Sequence, residues 1–141
     1  MKSFLETLLN EKFLESFWYE ISEKEKLTKK ITERDLQRTF VFQMKCHYPA
    51  FFTKMVSDIP GVSASVGYDI TINSPDKTIY IEAKILKNFK VQDSQISFYM
   101  ETKGFDFIEY FFIFFDVGIK KIHLAKNPVK LKEQMKREGL Q

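Results

Sequence analysis

A single cysteine, Cys46, stands among the 141 residues. It excludes an internal disulfide and leaves nothing to recommend an oxidising compartment, so a cytoplasmic protein is expected. Glycine and proline are scarce, at 5 and 4, which argues against a low-complexity or disordered chain. There are two histidines, His47 and His123, with no ligand spacing around them, so no zinc site is expected. Nor is Cys46 read as a nucleophile with His47, because neighbours on a helix point apart. Long hydrophobic runs are missing too. The most apolar stretch, Phe105 to Val117, is broken by Asp106 and Glu109 and is too short to span a bilayer. The first residues are interrupted by Glu6, Glu11 and Lys12, unlike a signal-peptide core. No membrane segment is expected.

What the chain has in quantity is apolar material: 44% of it, with 15 Phe, 6 Tyr and 1 Trp. That suffices for one core, and the length fits one domain. The division expected is a helical extension over 1–27, a core over 28–117 and a basic strand and helix over 118–141. The net charge is only +3, but it is unevenly placed. Residues 1–27 hold four Lys and six Glu, residues 28–116 balance eleven basic against eleven acidic, and residues 117–141 hold seven basic against two acidic. A basic end of this kind either meets phosphates or is a solvated helix face.

Periodicity gives the elements. Phe4, Leu5, Leu8, Leu9, Phe13, Leu14, Phe17 and Trp18 recur at helical spacing, predicting one amphipathic helix over 3–20. Its stripe either packs on the domain, covers a twin subunit or docks a partner. A second helix is predicted from Thr28 or Thr32 to about Cys46, with Thr32 as its N-cap and Glu33 and Asp35 in its first turn. Phe51 to Asp58 reads as a strand before an Ile59-Pro60-Gly61 turn. From Val66 the period becomes two. Ile70 and Ile72, then Ile79, Ile81, Ala83 and Ile85, alternate with Asp69, Thr71, Asn73, Tyr80, Glu82 and Lys84 around a Ser74–Lys77 loop. This predicts a hairpin with one apolar and one polar face. Asp93 or Ser94 is the expected cap of a short helix ending at Gly104. Phe107 to Val117 suits a strand covered on both faces. Ile119 to Ala125 reads as another strand after a Gly118 turn, and Pro128 opens a last helix to about Glu138. The fold class expected is α/β: a mixed sheet flanked by helices.

The hairpin register concentrates charge. If Asn73 pairs with Thr78, counting back along both strands brings Asp69 opposite Glu82. Facing residues lie roughly 4.5–5.5 Å apart at Cβ, so two carboxylates there repel unless a cation joins them. Lys84 emerges two residues beyond Glu82, on the same face. Two carboxylates beside an amine suit a hard divalent ion, Mg²⁺ with Mn²⁺ as substitute, and phosphodiester chemistry. Lysine would orient or deprotonate a water and offset the charge of the transition state. Lys87, Lys90 and Lys103 flank this place, either as phosphate contacts or as solvated charges.

The stretch Gly67-Tyr68-Asp69-Ile70, followed after ten residues by Ile81-Glu82-Ala83-Lys84, resembles the PD-(D/E)xK nuclease superfamily, with Tyr68 where the family has proline. Pro75-Asp76 is the literal match, but it falls in the hairpin loop. The resemblance implies a restriction-endonuclease-like αβββαβ core over 28–117. It implies that Asp69 and Glu82 hold Mg²⁺ with the carbonyl of Ala83, and that Lys84 assists the water. Many members add a glutamate from the first core helix, a place that Glu33 fits, with Gln37 one turn on. Some carry a Gln and a Tyr four residues apart on the next helix, as Gln95 and Tyr99 do here. The expectation is thus a DNA-cutting, metal-dependent nuclease, acting as a homodimer around its substrate. The alternatives are a nuclease-like module without catalysis, serving in nucleic-acid binding or assembly, and an interaction domain docking through its aromatic N-terminal helix.

Overall fold

The computed structural model describes residues 2–62 and 67–139. Val66, where the two-residue period was read to begin, lies outside them. Among the described residues the chain forms five α-helices and one five-stranded mixed sheet. The elements run α1 (Phe4–Leu8), α2 (Glu11–Leu27), α3 (Glu33–His47), β1 (Phe52–Met55), β2 (Ile70–Asn73), β3 (Thr78–Ile85), α4 (Asp93–Thr102), β4 (Ile108–Asp116), β5 (Lys121–Ala125) and α5 (Pro128–Arg137). The strands lie side by side in chain order. β3 and β4 are parallel and every other pair is antiparallel. A parallel neighbour requires a crossover, and α4 supplies it.

The single N-terminal helix expected over 3–20 is two helices. Asn10 breaks it, its side-chain oxygen accepting from the Phe13 N–H at 2.9 Å, which caps α2. Asparagine is among the best N-caps, and its pull outweighs the continuous apolar stripe. The Tyr48 hydroxyl donates to the Leu8 carbonyl, satisfying the end of α1. α2 continues beyond the stripe to Leu27. Leu5, Leu8, Phe13, Phe17, Trp18 and Ile21 are buried against the rest of the chain, and Phe4, Leu9 and Leu14 pack partly buried against the same core, so most of the stripe is covered from within. α3 begins at the expected cap: Thr32 Oγ1 accepts from the Asp35 N–H at 3.1 Å and Asp35 Oδ2 accepts from the Thr32 N–H at 2.9 Å.

The hairpin has the predicted register, Asn73 opposite Thr78 and Ile70 opposite Ile81. Its apolar side joins the main core with Phe40, Met44, Phe111, Ile113 and Phe115 under α1, α2 and α3. The other side is not an open polar face. Tyr80 packs with Tyr68, Phe98 and Tyr110, and Phe89, Val91, Phe112 and Met135 form a second cluster that α4 and α5 cover. The strand expected over Phe51–Asp58 is shorter, ending in a 3-10 turn at Val56–Asp58. The cap of α4 is Gln92 rather than Asp93 or Ser94, its N–H donating to Gln95 Oε1 at 2.7 Å. In the β4–β5 turn the positive φ falls on Lys120 (56°), not on Gly118.

Three of the seven basic residues of the C-terminal segment have acidic partners among the described residues. Lys120 pairs with Glu25, Lys126 with Glu6 at 3.1 Å and Lys132 with Asp93 at 2.7 Å, tying the two ends of β5 to α2 and α1 and α5 to α4. Among the described residues no helix is long and apolar enough to cross a membrane.

Candidate active site

Three elements bring the site together: the start of β2, the end of β3 and the first two turns of α3. Asp69 precedes β2, yet its backbone is fixed on both sides. Its N–H donates to the Ile81 carbonyl and its carbonyl accepts from the Val56 N–H, each at 2.8 Å. These bonds extend the hairpin ladder by one step and set Asp69 against Glu82, as the loop length predicts. Gly67 makes the approach, at φ +97°, where a Cβ would lie 3.0 Å from Phe98 Cβ. Only glycine adopts this conformation at no cost.

Asp69 Oδ2 accepts from the Ala83 N–H at 2.8 Å and from Gln37 Nε2 at 3.3 Å. The same Gln37 nitrogen donates to the Ala83 carbonyl at 2.7 Å. Lys84 Nζ lies 3.1 Å from Glu82 Oε1. Glu33 Oε1 accepts from the Ile85 N–H at 2.9 Å, which places it at the rim, on backbone rather than at the centre. Gln37, buried and central, takes the inner place on α3. Its signal in the sequence was the helical spacing from Glu33, which put it one turn deeper on the same face.

Glu82 is 4% exposed, although it stands among the polar residues of the hairpin alternation. Burial pushes its carboxyl up, and the nearby Asp69 charge adds to this, to about 8. Asp69 is raised as well, by burial, against the pull of the Ala83 N–H. Both shifts have one direction: two buried carboxyls side by side disfavour a second negative charge. For Lys84, burial favours the neutral amine, but the charges of Glu82 and Asp69 outweigh it and keep the ammonium form above its usual range. Tyr110 went unnoticed in the sequence. It sits on β4 opposite Tyr80, its hydroxyl donates to the Gly67 carbonyl, and burial plus the charges of Glu82 and Asp69 raise its pKa. The register of β4 against β3 would have revealed it, but pairing between distant strands is not readable from one hairpin.

The remaining candidates lie around this centre. Gln95 is buried and caps α4. The Tyr99 ring stands 6.4 Å from that of Tyr110, in the second cluster. Lys87 and Lys90 line a cavity of about 350 Å³ with Glu33 and Lys84. Lys103 is the exposed C-cap of α4. Among the described residues no group of three or more His, Cys, Asp or Glu side chains forms a metal-holding cluster. The donors at hand are two carboxylates and the Ala83 carbonyl, all oxygen. Comparison with protein-family models, with curated proteins and with solved structures gave no significant match.

Proposed function

We propose that the protein is a Mg²⁺-dependent nuclease of the PD-(D/E)xK type, hydrolysing phosphodiester bonds of DNA in the cytoplasm. The observation that supports this most is the carboxyl pair. Folding drives Asp69 and Glu82 together in a buried place beside Lys84, where burial pushes both carboxyls up. Such an arrangement costs stability, and groups perturbed in this way cluster at functional sites. The order α3-β1-β2-β3-α4-β4 agrees with an αβββαβ core. Tyr68 in place of the family's proline is tolerated here because its ring packs on Tyr80 and Phe98 while the Asp69 backbone stays in the ladder.

Asp69, Glu82 and the Ala83 carbonyl would hold the ion, with water in its other positions, a donor set that suits Mg²⁺ or Mn²⁺ better than zinc. The ion would supply charge neutralisation at the phosphoryl oxygens and an acidified water. Lys84, held 3.1 Å from Glu82, would donate a hydrogen bond to the substrate or its water and offset developing negative charge. Gln37 fixes the Asp69 carboxylate and the Ala83 carbonyl in one plane of reach. Glu33 holds the end of β3.

A second reading, a nucleic-acid-binding or assembly module without catalysis, draws on one observation: Gln37 stands where a third acid would strengthen metal binding, and Glu33 faces backbone. Purified protein incubated with plasmid, single-stranded and branched DNA, and with RNA, in Mg²⁺ or Mn²⁺ separates the two. Cutting that needs metal and is lost in Asp69→Ala and Lys84→Ala supports the nuclease; no cutting of any substrate favours the module. Light scattering of the same sample, alone and with duplex, tests the homodimer.

A further inference from the structure

Beside Lys84 a cleft opens between the segment before α3 and the segment after β3. It is lined by Lys30, Ile31, Thr32 and Glu33 on one side and by Lys84, Ile85, Lys87, Lys90 and Gln92 on the other, with a volume of about 350 Å³. Both walls are anchored. Ile31 is buried in the main core. Across from it, Phe89 and Val91 are buried in the second cluster, the Phe89 ring lying 5.6 Å from Phe112 and 4.8 Å from Phe114. With Phe89 and Val91 pointing in, Lys87, Lys90 and Gln92 are exposed and reach the cleft. The alternation of the segment thus delivers cations to one place on a rigid mount.

Lys30, Lys87 and Lys90 make no ion pair among the described residues, whereas Lys120, Lys126 and Lys132 of the C-terminal segment are all paired. With Lys84 paired to Glu82, Lys30, Lys87 and Lys90 against Glu33 still leave an excess of positive charge, and like charges gathered in one cleft repel until an anion enters. Glu33 and Lys84 belong both to this cleft and to the candidate active site, so whatever anion enters is adjacent to the reacting phosphate.

We propose that this cleft binds a neighbouring phosphate of the same nucleic-acid strand, with Lys30, Lys87 and Lys90 as its contacts; the proposal rests on the nuclease reading and extends it to how the strand leaves the site. Its chemistry is that of positioning: lysines on phosphate fix register and give affinity that falls with salt.

The test is binding of fluorescent single-stranded oligonucleotides in EDTA, where no cutting occurs, followed by anisotropy across a salt series. Lys87→Ala/Lys90→Ala should weaken binding about tenfold at low salt and reduce the log–log salt slope by about 1.4, and Lys30→Ala by about 0.7. Lys12→Ala/Lys45→Ala removes the same charge from exposed positions, Lys45 at the far end of α3, and should change affinity less than about twofold. Oligonucleotides with and without a 5′-phosphate identify the source. Equal losses mean an internal diester, and a loss confined to the phosphorylated probe means a terminal phosphate; either supports the cleft. Unchanged affinity and slope in the cleft variants, or an equal loss in the control, overturns it. If the wild type cuts nothing yet the cleft variants lose binding, the nuclease reading falls and the cleft stands. If cutting persists in Lys87→Ala/Lys90→Ala with wild-type KM, the cleft falls and the nuclease stands.

Discussion

Replacing Glu82 by Gln should make the metal-free protein more stable while abolishing its chemistry. A carboxyl whose pKa rises from 4.5 in the unfolded chain to about 8 in the fold keeps its proton in the native state over the interval where the unfolded state has released it. The native state then binds more protons than the unfolded one, so stability falls as pH rises, starting near 4.5 and levelling off above 8. Each unit of difference is worth about 1.4 kcal/mol, and integrating the two titrations from pH 5 to pH 9 gives a loss of about 4 kcal/mol. Glutamine copies the protonated acid in shape and in its lack of charge, but cannot lose a proton. Glu82→Gln should therefore match the wild type near pH 5 and exceed it by about 4 kcal/mol at pH 9, equivalent to roughly 10 °C in melting temperature. Urea unfolding in EDTA at pH 5, 7 and 9, wild type beside variant, measures the difference, and titrations common to both cancel. Addition of Mg²⁺ or Mn²⁺ should recover stability in the wild type at pH 8 and leave the variant unchanged, because only the native wild-type pair binds the ion. Stability curves that run parallel from pH 5 to pH 9 would refute the account of a buried Glu82 that holds its proton beside Asp69.

Three further outcomes follow from other parts of the structure. Gln37→Glu sets a carboxylate against the Asp69 carboxylate and the Ala83 carbonyl that Gln37 now serves; it should cost about 2–4 kcal/mol in EDTA yet tighten divalent-ion binding, read by calorimetry. Gly67→Ala should destabilise by about 1–3 kcal/mol in urea unfolding, since φ is +97° and the added methyl meets Phe98 Cβ at 3.0 Å. Phe17→Ala should cost about 3–5 kcal/mol, because its fully buried ring lies 5.6 Å from Phe115 and 6.3 Å from Phe40, joining α2 to the sheet and to α3.

The parts of the site that could be read from the sequence are those fixed by local geometry. A four-residue loop determines a hairpin register, and the register alone places Asp69 against Glu82 and Lys84 beside them. The Thr32 cap fixes where α3 starts, and with it the face on which Glu33 and Gln37 lie one turn apart. Where local signals competed, as at Asn10, a stronger cap interrupted a continuous apolar stripe. What could not be read is what long-range packing decides. Nothing in Tyr80-Ile81-Glu82 says that aromatic rings from α4 and β4 will close over the polar face and leave Glu82 almost without water. That enclosure turns an ordinary surface alternation into a site. On an open sheet Asp69 and Glu82 would ionise separately, screened from one another by solvent, whereas with Phe112 beside Glu82 and the aromatic cluster around it, burial favours the protonated acid unless a cation replaces the proton. The sequence pattern thus supplies the charges, and the distant aromatic residues make their proximity chemically consequential.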